Sequence, residues 1–136
     1  MLLRGVTRGV GIEAPPAAVL AVVADPVNLP RFAPGFARSV QRDSDSDGQG
    51  WIVDSARGRL QLRTAVDADR GTVDLHLTAP DGSESTVFLR VLPNGSGAEL
   101  TFTLLLPGSA SDAAVAEQGG VVAEELELLR QLCEAG

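Results

Sequence analysis

Few residues of this chain could carry out chemistry, and the clearest pattern among them is an acidic loop. Asp43, Asp45 and Asp47 alternate with serines, Gly48 follows, and Asp54 stands at the twelfth position of the pattern. A calcium loop has carboxylates at positions one, three and five and glycine at six. Here the twelfth position is Asp rather than the bidentate Glu, and Asp, Ser and Gly are also favoured in hairpin turns. We therefore expect a solvated turn with at most weak calcium binding, and no metal site.

Two other reactive side chains have no partner nearby in the sequence. His76 is the single histidine, and Cys133 is the single cysteine, which excludes an intrachain disulfide. Alternation places His76 on the polar face of its strand, and helical spacing places Cys133 on an apolar helix face as a small buried hydrophobe. The sequence contains no Gly-x-Ser-x-Gly elbow and no glycine-rich loop between a strand and a helix. We therefore expect no catalytic residues and no cofactor.

Two arginines on central strands could take part in ligand binding. Arg63 and Arg90 lie in segments of alternating polarity, where a charged side chain usually points to water. An arginine that pointed inward would need a carboxylate, either from Asp54 or Asp74 or from an acidic ligand. The direction of Arg63, Asp74 and Arg90 therefore decides between a neutral and an acidic ligand.

The middle of the chain is predicted to be an antiparallel meander. Apolar and polar residues alternate with a period of two, and Gly-, Asp- and Pro-containing turns separate the segments. The expected strands cover residues 2–12, 36–42, 51–56, 59–66, 72–78, 84–92 and 98–106.

Two short helical pieces follow the first strand. Pro15 and Pro16 end that strand after Ile12, and proline is well tolerated in the first turn of a helix. The first helix is predicted over residues 17–24. Asp25-Pro26 ends it, and a second short piece runs up to Pro34.

A long helix is predicted over residues 111–133, with Ser111 as its N-cap. Apolar residues at steps of four and three form one face, which includes Val122. Gly119-Gly120 interrupts the helix, and each glycine costs about 0.8–1 kcal/mol relative to alanine. Either the sheet packs closely against Gly119, or the missing side chain makes room for a ligand.

Several segments resemble one known superfamily over nearly the whole chain. The first is the order of a strand, two prolines and a helix that leads to Asp25-Pro-Val-Asn-Leu-Pro-Arg-Phe32. The others are Trp51-Ile-Val-Asp, Arg90-Val-Leu-Pro-Asn-Gly, Leu100-Thr-Phe-Thr-Leu and Glu125-Leu-Glu-Leu-Leu. The chain thereby resembles the SRPBCC superfamily, which contains START and polyketide cyclase-like domains.

The resemblance implies a fold and a pocket. The fold would be α+β helix-grip: a curved antiparallel sheet of about seven strands around a long C-terminal helix, with two short helices after strand 1, in a single domain over residues 1–136. The expected pocket lies between the sheet and the last helix. Its predicted lining is Phe32, Phe36, Trp51, Leu62, Arg63, Leu75, Phe88, Arg90, Phe102, Gly119 and Val122.

Composition limits the partners. The chain has 136 residues, is 44% hydrophobic and carries a net charge of −7, which argues against nucleic acid or anionic lipid surfaces as partners. It has no apolar run of the ~18 residues that would span a membrane. The first residues lack the apolar run and cleavage site of a signal peptide. We expect a cytoplasmic protein, and an edge strand could pair with a second copy to form a homo-oligomer.

Three functions remain open at this stage. The first is a non-enzymatic carrier or sensor of a small hydrophobic molecule, since gaps lined by apolar groups bind apolar ligands. The second is a polyketide cyclase- or aromatase-like enzyme, for which the sequence offers little acid–base equipment. The third is an interaction domain whose core is filled.

Overall fold

The computed structural model describes residues 1–44 and 49–136. Every predicted helix and strand is present, and the ends differ from the predicted ends by at most two residues. The chain folds in the order β1 Arg4–Ile12, α1 Pro16–Ala24, a 3₁₀ turn Pro26–Asn28, α2 Leu29–Phe32, β2 Ala37–Arg42, β3 Gly50–Ser55, β4 Gly58–Asp67, β5 Thr72–Thr78, β6 Glu84–Asn94, β7 Gly97–Leu106 and α3 Asp112–Ala135.

All seven strands form one antiparallel sheet in the order β1-β7-β6-β5-β4-β3-β2. The short elements α1 and α2 follow β1, and the long helix α3 closes the chain. This architecture confirms the predicted α+β helix-grip fold. Because β1 pairs with the last strand, β1 and β2 are the two edge strands, and β3 to β7 lie between them.

Helix α3 covers the β1 side of the sheet, and its first turn is capped as predicted. The Ser111 Oγ accepts a hydrogen bond from the Ala114 backbone N–H at 3.1 Å. The Arg4 guanidinium of β1 lies 2.9 Å from the Asp112 carboxylate and donates to the Ala110 carbonyl oxygen at 2.8 Å. These contacts hold the start of α3 against the edge strand.

The two faces of the sheet differ in character. We call the face that carries α1 and α3 the inner face, and its strand residues alternate with those of the outer face. Buried inner-face side chains come from every strand, among them Val6, Val53, Leu62, Leu75, Leu89 and Leu100. Full burial of each such side chain contributes about 1.5–3 kcal/mol to the free energy of unfolding.

The outer face is polar, and His76 lies there as predicted. This exposed residue follows buried Leu75 on β5, and its Nδ1 is 3.0 Å from the Thr86 Oγ1. Among the described residues, no helix is long and apolar enough to cross a bilayer.

Candidate functional site

The inner face is divided into a closed end and an open end. The closed end lies beneath α3, where apolar side chains from the sheet and the helix meet without exposed surface. Its members are Val6, Leu89, Leu100, Phe102, Val122, Leu126 and Leu129, all nearly or fully buried. These side chains are buried, and none of them lines the pocket of the open end.

The open end holds a pocket of about 460 Å³ that opens to solvent. It lies between the C-terminal end of α1 and the inner face of strands β2 to β4. Its lining, which defines the open end, is Ala21, Ala24, Asp25, Pro26, Arg42, Gln49, Trp51 and Thr64. None of these residues belongs to α3, so this pocket lies elsewhere than in the predicted space between sheet and C-terminal helix.

An aromatic ring and a guanidinium form one wall of the pocket. Arg42 and Trp51 are register partners in the β2–β3 pair. The Arg42 guanidinium carbon lies 4.6 Å from the centroid of the Trp51 ring, a cation–π geometry. On the other side, Trp51 pairs with buried Leu62 of β4. The half-buried indole is thus held in place while part of it stays accessible.

The opposite wall is the turn that ends α1. Proline at position 26 cannot continue the helix, and Asp25 caps the following 3₁₀ turn by accepting a hydrogen bond from the Val27 N–H at 3.1 Å. The Asn28 side-chain amide also donates to the Val22 carbonyl oxygen at 3.0 Å. These hydrogen bonds fix the rim of the pocket in one conformation.

The predicted lining residues on the inner face fall into two groups. Trp51 lines the pocket of the open end, and Phe36 is half-buried against the core. The remaining apolar members are buried in the core, where they support the fold: Phe32, Leu62, Leu75, Phe102 and Val122.

The other predicted side chains on the sheet face away from the helices. In β6, Leu89 and Val91 occupy the inner face, so alternation directs Phe88 and Arg90 outward. Arg90 donates to the Asp74 carboxylate at 2.8 Å and lies over the Phe88 ring. Arg63 is exposed on the outer face of β4. These three residues lie outside the pocket.

Gly119 has a neighbour that neither sequence-based alternative anticipated. A Cβ added there would collide with the guanidinium of Arg8, rather than with sheet backbone or open space. Arg8 lies on the inner face of β1 opposite Phe102, and its Nη1 donates to the Thr7 carbonyl oxygen at 2.8 Å. The glycine therefore makes room for an arginine side chain. Gly120 has no atom within 4 Å of its added Cβ.

Seven of the eight pocket residues were missed at the level of sequence, among them the strand residues Arg42 and Thr64. Arg42 follows half-buried Val40 at a spacing of two, which places it on the inner face. Thr64 follows Leu62 in the same way. The alternation was readable, but the approach of Arg42 to Trp51 depends on the register of the β2–β3 hairpin, which alternation does not determine.

The remaining sequence candidates are Cys133 and the calcium pattern. Burial raises the pKa of the Cys133 thiol, with Glu134 adding to the effect, so the thiol stays protonated and unreactive. Asp45, Asp47 and Gly48 of the calcium pattern lie outside the described residues, and that prediction stays untested. Within residues 1–44 and 49–136, no three acidic, histidine or cysteine side chains meet in a metal-binding arrangement.

Comparisons with solved structures place this fold among known relatives. XoxI from Bacillus cereus superposes with a TM-score of 0.74 at 17% identity, over 96% of this chain and 95% of that one. The Zhui aromatase/cyclase from Streptomyces sp. R1128 superposes with a TM-score of 0.74 at 17% identity, over 97% of this chain and 94% of that one. A START superfamily protein from Mycobacterium smegmatis superposes with a TM-score of 0.70 at 13% identity, over 96% of this chain and 97% of that one. At such identities the similarity shows the fold alone.

Sequence comparison adds a family. No curated protein matches the chain. The family model described as polyketide cyclase / dehydrase and lipid transport matches residues 4–134, nearly the entire sequence. This match agrees with the helix-grip fold and with the resemblance read from segments along nearly the whole chain. The chain therefore belongs to the polyketide cyclase / dehydrase and lipid transport family.

Proposed function

We propose that this domain binds a small, flat hydrophobic molecule in the pocket of the open end. The observation that carries the proposal is the Trp51 ring, which is half-buried, held between Leu62 and Arg42, and in contact with a pocket of about 460 Å³. That volume lies within the roughly 300–1,000 Å³ of typical small-molecule sites. Membership of a family that includes lipid transport supports the same conclusion.

The lining favours a flat ligand with a polar edge. Ala21, Ala24 and Pro26 form an apolar side, and Trp51 contributes an aromatic surface. Aromatic groups gain about 0.5–1.5 kcal/mol from offset or edge-to-face contacts beyond the area they bury. Thr64, Gln49 and Asp25 supply hydrogen-bonding groups at the rim, and such groups orient a ligand without contributing most of the affinity.

Binding accounts for this site better than cyclase or aromatase chemistry. General acid–base catalysis needs a donor and an acceptor within reach of the same substrate atoms. Asp25 is the one carboxyl group in the described lining, and its Oδ1 already accepts a hydrogen bond from Val27. The only histidine, His76, is on the outer face. We therefore favour a carrier or sensor.

A pair of variants on α1 tests the proposal. Ala24→Leu adds volume to the pocket wall, and Ala17→Leu adds the same side chain at an exposed α1 position outside the pocket. Binding of the neutral fluorophore N-phenyl-1-naphthylamine is measured by energy transfer from Trp51, the only tryptophan. We expect at least a tenfold loss of affinity for Ala24→Leu and less than a twofold change for Ala17→Leu.

Two results would contradict the proposal. Equal affinities of the two variants would place any bound probe elsewhere. No binding to the unmodified protein would instead favour the third function, an interaction domain that takes no small ligand.

A further inference from the structure

The two flanks of α3 differ in their surroundings. One flank faces the edge strand β1 and its continuation: Asp112 is bound by Arg4, Gly119 lies against Arg8, and the Glu134 carboxylate accepts a hydrogen bond from the Glu13 N–H at 2.9 Å. Helix α2 contacts both α3 and β2, the strand at the far edge of the sheet. Because β1 occupies the first flank, we infer that α2 lies on the side of the opposite flank of α3.

That opposite flank is apolar apart from two side chains. With 3.6 residues per turn, its members follow from the helical spacing; we call them the α2-facing flank: Ala114, Gln118, Val121, Glu125, Leu128 and Leu132. Glu125 is its only ionisable residue. The positions three and four residues away on either side are Val121, Val122, Leu128 and Leu129, so the half-buried carboxyl group has apolar neighbours along the helix.

Within residues 1–44 and 49–136, no cation neutralises Glu125. Among the described residues the carboxyl group has neither a hydrogen bond nor an ion pair. Helix α1 has no ionisable side chain, and neither does the inner face of β7. Arg31 of α2 is exposed and donates to the Asn28 side chain at 3.3 Å. On β1, Arg4 binds Asp112 and Arg8 lies at Gly119, both on the opposite flank.

The titration of Glu125 agrees with this geometry. Burial, and secondarily the negative charge of Glu124, raise its pKa to about 7. An ionised carboxylate at a half-buried, apolar site lacks the stabilisation that a nearby cation would give. A ligand that supplies such a cation gains this interaction at Glu125, whereas a neutral ligand gains only a hydrogen bond.

We propose that Glu125 is the recognition carboxylate for a cationic apolar ligand, a primary alkyl amine or a molecule of that chemistry. The ammonium group binds the Glu125 carboxylate, and the alkyl part lies on Val121, which is 40% exposed, and on half-buried Leu128. The net charge of −7 favours the approach of a cation. This site is separate from the pocket of the open end and does not depend on it.

Three probes of equal chain length test the proposal: decylamine, decanol and decanoate, each used below its micelle concentration in calorimetric titrations. We expect decylamine to bind at least tenfold more tightly than decanol or decanoate at pH 8. Glu125→Gln should lower the affinity for decylamine at least tenfold and leave the affinity for decanol unchanged. Glu124→Gln, the neighbouring exposed residue, is the matched control and should change decylamine affinity less than twofold.

The pH dependence provides the second readout. Decylamine stays cationic from pH 6 to pH 8, so its affinity should rise about tenfold as Glu125 ionises, and this rise should vanish in Glu125→Gln. Ala24→Leu in the open-end pocket should have no effect. Equal binding of the three probes at pH 8, no binding of decylamine, or identical behaviour of the Glu124 and Glu125 variants would each overturn the proposal.

Discussion

The closed end and the open end belong to the same face of one sheet, yet they differ in how far that face is covered, and the pocket lies at the open end. At the closed end, Leu89 and Leu100 from the sheet and Val122 and Leu129 from α3 expose none of their surface. At the open end, the equivalent inner-face positions are Trp51 and Thr64, which are only half-buried. The comparison shows that helix coverage, rather than the sheet itself, decides where the inner face stays open to solvent.

The length of α1 explains the boundary between the two ends. Val19 and Val23 of α1 are buried, and the helix packs on β5, β6 and β7. It ends at Ala24, because Pro26 cannot continue it and Asp25 caps the next turn. Strands β2 to β4 therefore extend beyond the helix, and the pocket occupies the uncovered part.

A charge introduced at each end should give the largest difference. Val122→Asp buries an unpaired carboxylate beneath α3, a penalty of several kcal/mol against a typical stability of about 5–15 kcal/mol. Thr64→Asp places the same charge beside an open pocket and should cost less than about 1 kcal/mol. Chemical denaturation should show Val122→Asp unfolded or strongly destabilised. Equal stability of the two variants would remove the distinction between the ends.

Glu125, which borders the closed end, should make stability depend on pH. Its folded pKa of about 7 lies above the usual value of 4.5, so the folded protein keeps a proton that the unfolded chain loses. The free energy of unfolding should therefore fall as pH rises from about 4.5 to 7. Glu125→Gln should be more stable than the parent above pH 7 by about 1–3 kcal/mol.

The control for this effect is the neighbouring exposed residue. Thermal unfolding of Glu124→Gln should keep most of the pH dependence of the parent protein. A Glu125→Gln variant with the same pH profile as the parent would show that this carboxyl group is well solvated.

A substitution at Gly119 tests whether Arg8 occupies the space beside this glycine. Gly119→Leu should cost about 1 kcal/mol, at the lower end of the range for overpacking, because the guanidinium in its way is the end of a flexible side chain. In an Arg8→Ala background the same leucine should cost clearly less. An equal cost in both backgrounds would assign the resistance to the sheet instead of to Arg8.

The smallest effect is expected at the neighbouring glycine. Gly120 is exposed and an added Cβ would meet nothing within 4 Å. Gly120→Ala should therefore raise the free energy of unfolding by about 0.5–1 kcal/mol through helix propensity. A loss of stability in denaturant titrations would mean that this helix surface is in contact with something.

Most of the fold could be predicted because local signals repeat along this chain. The double proline before α1, the Asp25-Pro26 break and the period of two in β4 and β5 each define an element without knowledge of its neighbours. The resemblance then supplied their arrangement. The direction of Arg8 was also readable, because it lies two residues from both Val6 and Val10 on β1 and therefore shares their face.

The site was less predictable because it depends on contacts between distant segments. The Arg42–Trp51 stack requires the register of the β2–β3 hairpin, and the pocket requires α1 to stop short of β2. In β6, alternation alone leaves the faces of Phe88 and Arg90 open, because apolar residues occupy both sides of this strand. Pairing with Asp74 and burial of Leu89 settle that choice for Arg90.

The most direct test of the account is to map where an apolar molecule binds. Amide chemical shifts of ¹⁵N-labelled protein are followed during titration with N-phenyl-1-naphthylamine. We expect the shifts to change at Ala21, Ala24, Trp51 and Thr64 and to stay constant at Leu89 and Val122. Changes centred on Leu89 and Val122, with the open end unaffected, would contradict the claim that the ligand site lies at the open end.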